Sequence, residues 1–327
     1  MSLKIFQLHF NAAVHLSDVR SDYGKSEKMI HSDSLTAAIM QTWAVLGKSE
    51  WISKDYGFTI SSLFPFTTVA DKPVYFLPKP YTGLNIPKGN SDTSLAKKAK
   101  KIQYFDVNYF QKALLQALVN PTENDYKGGY LTNQDIEKDF LQSNVSIRIR
   151  KPRNDSEDAE PFYMEQLIFK KGAGFWGIAD FENSEAEQRF IIAMNYLQEA
   201  GVGTDRNVGH GQFDFKWDIE STLPFGTEQH EYGLCLSLFC PENHQQLSKM
   251  LDEKARYETI KRGGWISEPY NTLRKRSVMM FKEGSVFKMP NSESIQGAVL
   301  NLQPDILKNH AIWRSGKAIF LPINWKG

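Results

Sequence analysis

A chain of 327 residues, 41% hydrophobic and 24% charged, is long enough for two packed units with a sizeable core. Its net charge of +1 excludes a uniformly basic surface, so nucleic-acid binding would have to come from local basic stripes. No run of about eighteen apolar residues occurs, and Met1-Ser2-Leu3-Lys4 leads straight into a strand pattern, which predicts a cytoplasmic protein with no membrane span or signal peptide. Cys235 and Cys240 share one apolar run and match no zinc spacing, so they read as reduced, buried thiols.

Leu3 to Phe10 predicts the first strand, with Phe6, Leu8 and Phe10 on one face and Gln7 and His9 on the other. His15 follows in a loop. His31-Ser32-Asp33-Ser34 then precedes Leu35, Ala38, Ile39, Trp43 and Leu46, a helix for which Ser32, Asp33 or Ser34 can serve as N-cap. Phe58 to Leu63 predicts a second strand. Phe64-Pro65-Phe66 and Val74 to Pro80 follow, both punctuated by proline. The run Lys97-Lys98-Ala99-Lys100-Lys101 precedes a helical face of Val107, Phe110, Leu114, Ala117 and Leu118. Such a run is either solvated surface or a source of non-specific attraction to phosphate.

Between Ser143 and Ile178, Val145, Ile147 and Ile149 alternate with Ser146, Arg148 and Arg150, so the arginines share a strand face. Lys151 and Arg153 continue the charge, Asn154 to Asp158 reads as an acidic turn, and Phe162 to Phe169 returns. The pattern predicts a long hairpin with one basic face, whose arginines either pair with the acidic turn or meet an anion. Ser184 is placed to cap the next helix, with Glu185 and Glu187 in its first turn.

That helix, marked by Phe190, Ile191, Met194 and Leu197, runs into Gly201-Val202-Gly203-Thr204-Asp205-Arg206-Asn207-Val208-Gly209-His210-Gly211. Gly201 stands where a left-handed helix stop belongs. The glycines free the backbone for positive φ and close approach, and exposed amides in such a loop suit phosphate oxygens. Arg206 adds a planar charged fork, while Asn207 and His210 add hydrogen-bonding groups. The alternative is a helix-to-strand connection that simply needs glycine. No Gly-Lys-Ser/Thr follows, which excludes a Walker loop, and a dinucleotide fingerprint would run from strand to helix, the reverse of the order here. Phe213, Phe215 and Trp217 alternate as the strand beyond.

Ser221 to Thr227 reads as a linker. A strand over Tyr232 to Phe239 opens the C-terminal part, followed by a helix with Leu247, Met250 and Leu251 on its apolar side. Ile260 to Ile266 contains Arg262-Gly263-Gly264-Trp265, a bulge or turn beside a basic patch. Val278 to Phe281 and Val286 to Met289 predict a hairpin turning at Glu283-Gly284, and Ile312 to Pro322 closes in a similar style.

Gly201, Gly203, Arg206, Gly209, Gly211 and Phe213 match the glycine-rich loop of the RAMP superfamily of CRISPR RNA-binding proteins. Ser32-Asp33-Ser34-Leu35, Tyr75-Phe76-Leu77-Pro78-Lys79-Pro80, the lysine run and Arg262-Gly263-Gly264-Trp265 resemble, in order, segments of the fourth-subunit family of type III-A (Csm) effector complexes. The resemblance implies an α+β fold of two ferredoxin-like (RRM-like, βαββαβ) domains, with a long β-hairpin thumb inserted in the first. Residues 1–222 would be the N-terminal domain and 223–327 a degenerate second one.

It further implies a non-catalytic subunit, without cofactor or metal, that holds the 5′ repeat-derived handle of the crRNA. Its protein partners would be the large polymerase-like subunit and a backbone RAMP subunit. The implied RNA-binding residues are Gly201, Gly203, Arg206, Asn207, Gly209, His210 and Gly211, with Arg148, Arg150 and Arg153 of the hairpin. His31 and Ser32 at the first helix N-terminus, a ready phosphate site, and Arg262 and Gly263 complete the set. A rival from another class is a metal-independent RAMP endoribonuclease processing pre-crRNA, with His15 or His31 as general base. Against it, related nucleases carry the glycine loop near the chain end, whereas more than a hundred residues follow it here. A third reading is an adaptor that touches only protein.

Overall fold

The computed structural model describes residues 3–17, 23–87, 93–151, 158–219, 223, 225, 230–267, 269–290 and 295–327. Strand β1 (Lys4–Phe10) lies within the largest sheet, with Phe6 and Leu8 fully buried. Gln7, expected on a polar face, is buried too, because its Nε2 donates to the Tyr75 hydroxyl at 2.6 Å. Helix α1 (Ser32–Val45) buries Leu35, Ile39 and Trp43. Its N-cap is His31, which makes no side-chain capping bond, so the three predicted capping residues do other work.

The strand expected over Phe58–Leu63 is shorter, β2 (Phe58–Ile60), and the proline-punctuated Phe64-Pro65-Phe66 opens a strand of its own, β3 (Phe64–Val69). The Ser61–Ser62 break is held by the Ser61 hydroxyl, which accepts from Ile178 N at 2.9 Å, and by Ser62 N, which donates to Leu236 O at 2.9 Å. Strand β4 (Lys72–Pro78) pairs with β3 across a turn at Ala70–Asp71. The lysine run lies within a helix, α2 (Thr93–Lys101). Strand β5 (Tyr104–Asp106) leads into α3 (Val107–Leu114), whose N-cap Asp106 accepts from Tyr109 N. Beyond Leu114 the predicted face does not continue as helix, since Gln116 sits at φ 52°. The short strands β6 (Tyr126–Lys127) and β7 (Tyr130–Leu131) close this edge.

Strands β8 (Leu141–Arg150) and β9 (Glu160–Phe169) form the expected hairpin, paired from Leu141 with Phe169 to Arg150 with Glu160, as a separate ribbon. Then come β10 (Gly174–Phe181), α4 (Ser184–Ala200) and β11 (Phe213–Lys216). The cap of α4 is Asn183, whose Oδ1 accepts from Ala186 N, one residue before the predicted Ser184. The large sheet runs β11-β1-β10-β3-β4-β5-β7-β6, with β2 also on β10.

Among its described residues the C-terminal part has a short helix, α5 (His244–Met250), and the strands β12 (Tyr232–Cys235), β13 (Thr259–Arg262), β14 (Val278–Phe281), β15 (Val286–Lys288), β16 (Val299–Asn301) and β17 (Trp313–Ser315). The last strand, β18 (Phe320–Ile323), joins β15 and β12 in the order β15-β12-β18, while β13-β14 and β16-β17 are two-stranded ribbons. Neither predicted C-terminal hairpin pairs with itself. Strands β14 and β15 turn at Glu283-Gly284 but part to different sheets, because Glu283 is buried against His31. A Cβ on Gly284 would also stand 2.7 Å from Lys79 O. Strands β17 and β18 separate likewise, β17 to β16 and β18 to β12.

The result is a mixed α+β fold of curled sheet with few helices. One hydrophobic core runs from Phe6, Phe58 and Phe190 through Tyr232, Leu234, Val286 and Leu321, so both parts of the chain build it. A smaller cluster gathers Phe239, Phe281, Phe287 and Met250.

Candidate nucleic-acid interface

The glycine loop follows α4 and folds back on itself. Gly201 has φ 75°, and a Cβ there would lie 2.5 Å from His210 O. On Gly203 a Cβ would come within 2.4 Å of His15 O, and on Gly211 within 1.9 Å of Val202 O. Val202 N donates to Gly211 O, Thr204 N to His15 O and Gly211 N to Ala13 O, at 2.9–3.0 Å. These three glycines are therefore demanded by the loop's own packing. Gly209 is different: its φ is 84°, and a Cβ would meet nothing within 4 Å.

The short turn Arg206–Val208 projects from this base. Among the described residues no acceptor takes the amides of Gly203, Asp205, Arg206 and Asn207, and Arg206 meets no carboxylate. Arg206 and Asn207 are exposed. The loop thus offers part of its main chain and one unengaged guanidinium, while its other amides are consumed internally.

The hairpin leans on the same loop. Arg148 Nη2 lies 3.4 Å from Asp205 Oδ2, and Gln166 Nε2 is 2.8 Å from His210 Nδ1. Arg148 pairs with the loop, a partner that its place in the sequence did not suggest. Arg150 is exposed on the same hairpin face, and Arg153 and most of the predicted acidic turn lie outside the described residues. The opposite face exposes Val145, Ile147 and Ile149 at 55%, 67% and 66%.

The first helix N-terminus faces inward. His31 Nδ1 is 2.8 Å from Glu283 Oε1, and the Ser62 hydroxyl donates to that same oxygen. Burial alone would lower the His31 pKa, but the Glu283 carboxylate outweighs it and raises it to about 9. Ser32 N donates to Ser62 Oγ at 2.9 Å, and Ser32 Oγ accepts from Leu238 N at 3.0 Å. Asp33, fully buried, is gripped by Arg262 (2.8 and 3.1 Å) and by Arg314 (3.0 Å), whose second nitrogen reaches Gly263 O at 3.1 Å.

His31, Ser32 and Arg262, expected to face RNA, are thus engaged where the two parts of the chain meet. The Gly263 carbonyl is used there as well. The helix start is no open phosphate site, because the C-terminal part covers it. Sequence reading missed Asp33, Glu283 and Arg314 as partners. The one available signal was a charge inside a short apolar strand, as with Arg314 between Trp313 and Ser315.

A cleft of ≈ 710 Å³ runs over the small side chains of α1, Ala37, Ala38 and Ala44. One wall is the glycine loop with Arg206; the other includes Ile266, Tyr270, Lys275 and Trp313 of the C-terminal part. A second cleft, ≈ 920 Å³, brings Pro78-Lys79-Pro80 together with Lys25, Lys28 and Lys100. Lys79 Nζ donates to Ala99 O at 3.1 Å, tying two of the sequence motifs to one place. His15 is fully buried, with Nδ1 2.6 Å from Glu165 O, so it is no candidate base for a bound RNA in this conformation. Among the described residues no helix is long and apolar enough to cross a membrane, and no group of three or more His, Cys, Asp or Glu could hold a metal ion.

Comparison with known proteins gives concordant results. Residues 228–323 match the family described as CRISPR Csm4 C-terminal domain. The Csm4 protein of Methanocaldococcus jannaschii is 23% identical over 386 aligned residues, covering 100% of this chain and 98% of the relative. That of Mycobacterium tuberculosis is 24% identical over 257 residues, 77% of this chain and 76% of the relative. Among solved structures, a Csm3-Csm4 subcomplex of the type III-A interference complex aligns with TM-score 0.64 at 19% identity, covering 98% of this chain and 99% of the other. A Csm1-Csm4 cassette in complex with cA4 aligns with TM-score 0.62 at 16% identity over 100% of both chains. These matches make the chain similar to Csm4 proteins in sequence and in fold, and with the glycine loop and the hairpin they support a Csm4-like RAMP protein.

Proposed function

We propose that this chain is a non-catalytic, guide-RNA-binding subunit of a type III-A CRISPR effector complex, and that it holds the 5′ repeat-derived handle of the crRNA. It docks on a large Csm1-type subunit and on a Csm3-type backbone subunit, the partners named in the solved complexes of its relatives. The observation that carries the RNA assignment is Arg206. Its guanidinium is exposed on a turn whose Arg206 and Asn207 amides are unengaged, lines a cleft, and among the described residues meets no carboxylate to neutralise it.

The architecture supports the same reading. In the large sheet, β11, β1, β10 and β2/β3 stand in the order fourth, first, third, second of a β-α-β-β-α-β unit, with α1 and α4 as its helices. We take 1–222 as this ferredoxin-like unit with the β8–β9 hairpin as an inserted thumb, and 223–327 as a pared-down second unit that shares its core. Gly201, Gly203, Asn207, Gly209, His210 and Gly211 shape the turn, while Arg148 and Arg150 carry the RNA path along the hairpin; Arg153, proposed to bind RNA with them, lies outside the described residues. A cytoplasmic location belongs to the same proposal.

Purification of the tagged chain from its host, with sequencing of bound RNA, tests it. Guides sharing a repeat-derived 5′ end are the expected result, and a preparation with Csm-type partners but no such RNA would sink the assignment. Arg206→Ala should weaken RNA binding several-fold and reduce the salt dependence by about one phosphate contact. An unchanged salt slope would favour the protein-only adaptor.

A further inference from the structure

We propose that Lys275, on the C-terminal wall of the cleft, completes an oxyanion site that takes a backbone phosphate of single-stranded RNA. It rests on the guide-RNA function above and adds to it a site on the other part of the chain. Arg262 and Arg314 both end on Asp33, so two guanidiniums already share one carboxylate. Lys275 stands within electrostatic range of all three.

The Lys275 ammonium has no hydrogen-bond or ion-pair partner among the described residues, yet its backbone is fixed. Lys275 N donates to Gly264 O at 2.8 Å, and the next residue's N donates to Leu302 O at 2.9 Å. A half-buried cation held in place beside like charges is costly, and an arriving phosphate relieves that cost. The other ionisable groups of the cleft are Arg206 on the facing wall, His31 and Glu27 from the N-terminal part, and His310 and Tyr270 beside Lys275. Glu27 alone adds a negative charge. Cations on both walls of a trough of ≈ 710 Å³ suit a chain with successive phosphates better than a single ion. Tyr270 and Trp313 on the same wall offer rings for an unstacked base.

Protonation supports the geometry. Burial pushes Lys275 down to about 8, with Arg314 and Arg262 adding to the shift and Asp33 opposing it. A bound phosphate favours the charged form, so binding takes up a proton above that pH and weakens as pH rises.

The test uses the full chain, a short labelled single-stranded RNA and fluorescence anisotropy over a salt and pH series. Lys275→Gln should weaken binding roughly tenfold and flatten the log–log salt slope by about 0.7. Lys275→Arg should keep most of the affinity while losing the decline above pH 8; this variant retains the charge and guards against a folding defect in the first. Wild-type affinity and slope in Lys275→Gln, with weakening in Arg206→Ala, would refute the Lys275 site and leave the guide-RNA function standing. Absence of RNA binding by the wild type would remove both. Binding of inorganic phosphate that depends on Lys275, with RNA affinity independent of it, would overturn the assignment to RNA.

Discussion

Asp33→Ala would take from the buried Arg262 and Arg314 the carboxylate they share, and the expected loss is about 3–5 kcal/mol of folding stability, read from urea unfolding. The buried charge pairs make this chain's stability depend on pH as well. His31 is raised to about 9 by Glu283, so its contribution is fully present below the unfolded value of about 6.5 and is lost as pH climbs through about 9. Glu283 is held below its ordinary range by His31, so its share is lost in acid instead. Denaturation midpoints should therefore fall between pH 6.5 and 9.5 in the wild type and stay flatter in His31→Gln. An equal slope in both would show that the pair does not couple to folding. Serines and an aspartate ahead of an apolar helix read as caps, and nothing in their spacing reveals that their partners are more than two hundred residues away.

The glycine loop separates two kinds of glycine that look alike in the sequence. Gly211→Ala would combine positive φ with a Cβ 1.9 Å from Val202 O, an expected cost of about 3–5 kcal/mol from strain and overpacking together. Gly209→Ala meets open space and should cost only about 1 kcal/mol, with the RNA-facing turn kept. Similar losses in thermal melts of the two variants would contradict this account. The hairpin's length and pairing were legible from period-two alternation, since a ribbon carries its own register. Which face turns to the loop was not, because burial depends on a neighbour. Ile147→Ser, at a side chain 67% exposed, should change stability by no more than about 0.5 kcal/mol. A large loss there would mean the apolar face is covered within the chain itself.

Across the whole molecule the two parts are bound by a shared core and by the His31–Glu283 and Asp33–Arg262–Arg314 contacts. We therefore expect one cooperative thermal transition for the full chain. Expressed alone, residues 1–222 would expose the part of the core that Tyr232, Leu234 and Leu321 complete, and would show weak near-ultraviolet dichroism that co-expression with 223–327 restores. Two separate transitions, or a well-folded N-terminal fragment, would show that the contact between the parts is dispensable.

Local patterns were enough to determine the glycine loop between helix and strand, the β8–β9 hairpin and the superfamily, because each is encoded in a few consecutive residues whose spacing follows backbone geometry. Tertiary structure alone decided that the α1 N-terminus is sealed and that β14 and β15 part company. It also decided that Lys275 lines the same cleft as Arg206. Each of these depends on which distant groups desolvate one another, and burial of a charge is a property of the assembled neighbourhood that no stretch of sequence carries by itself.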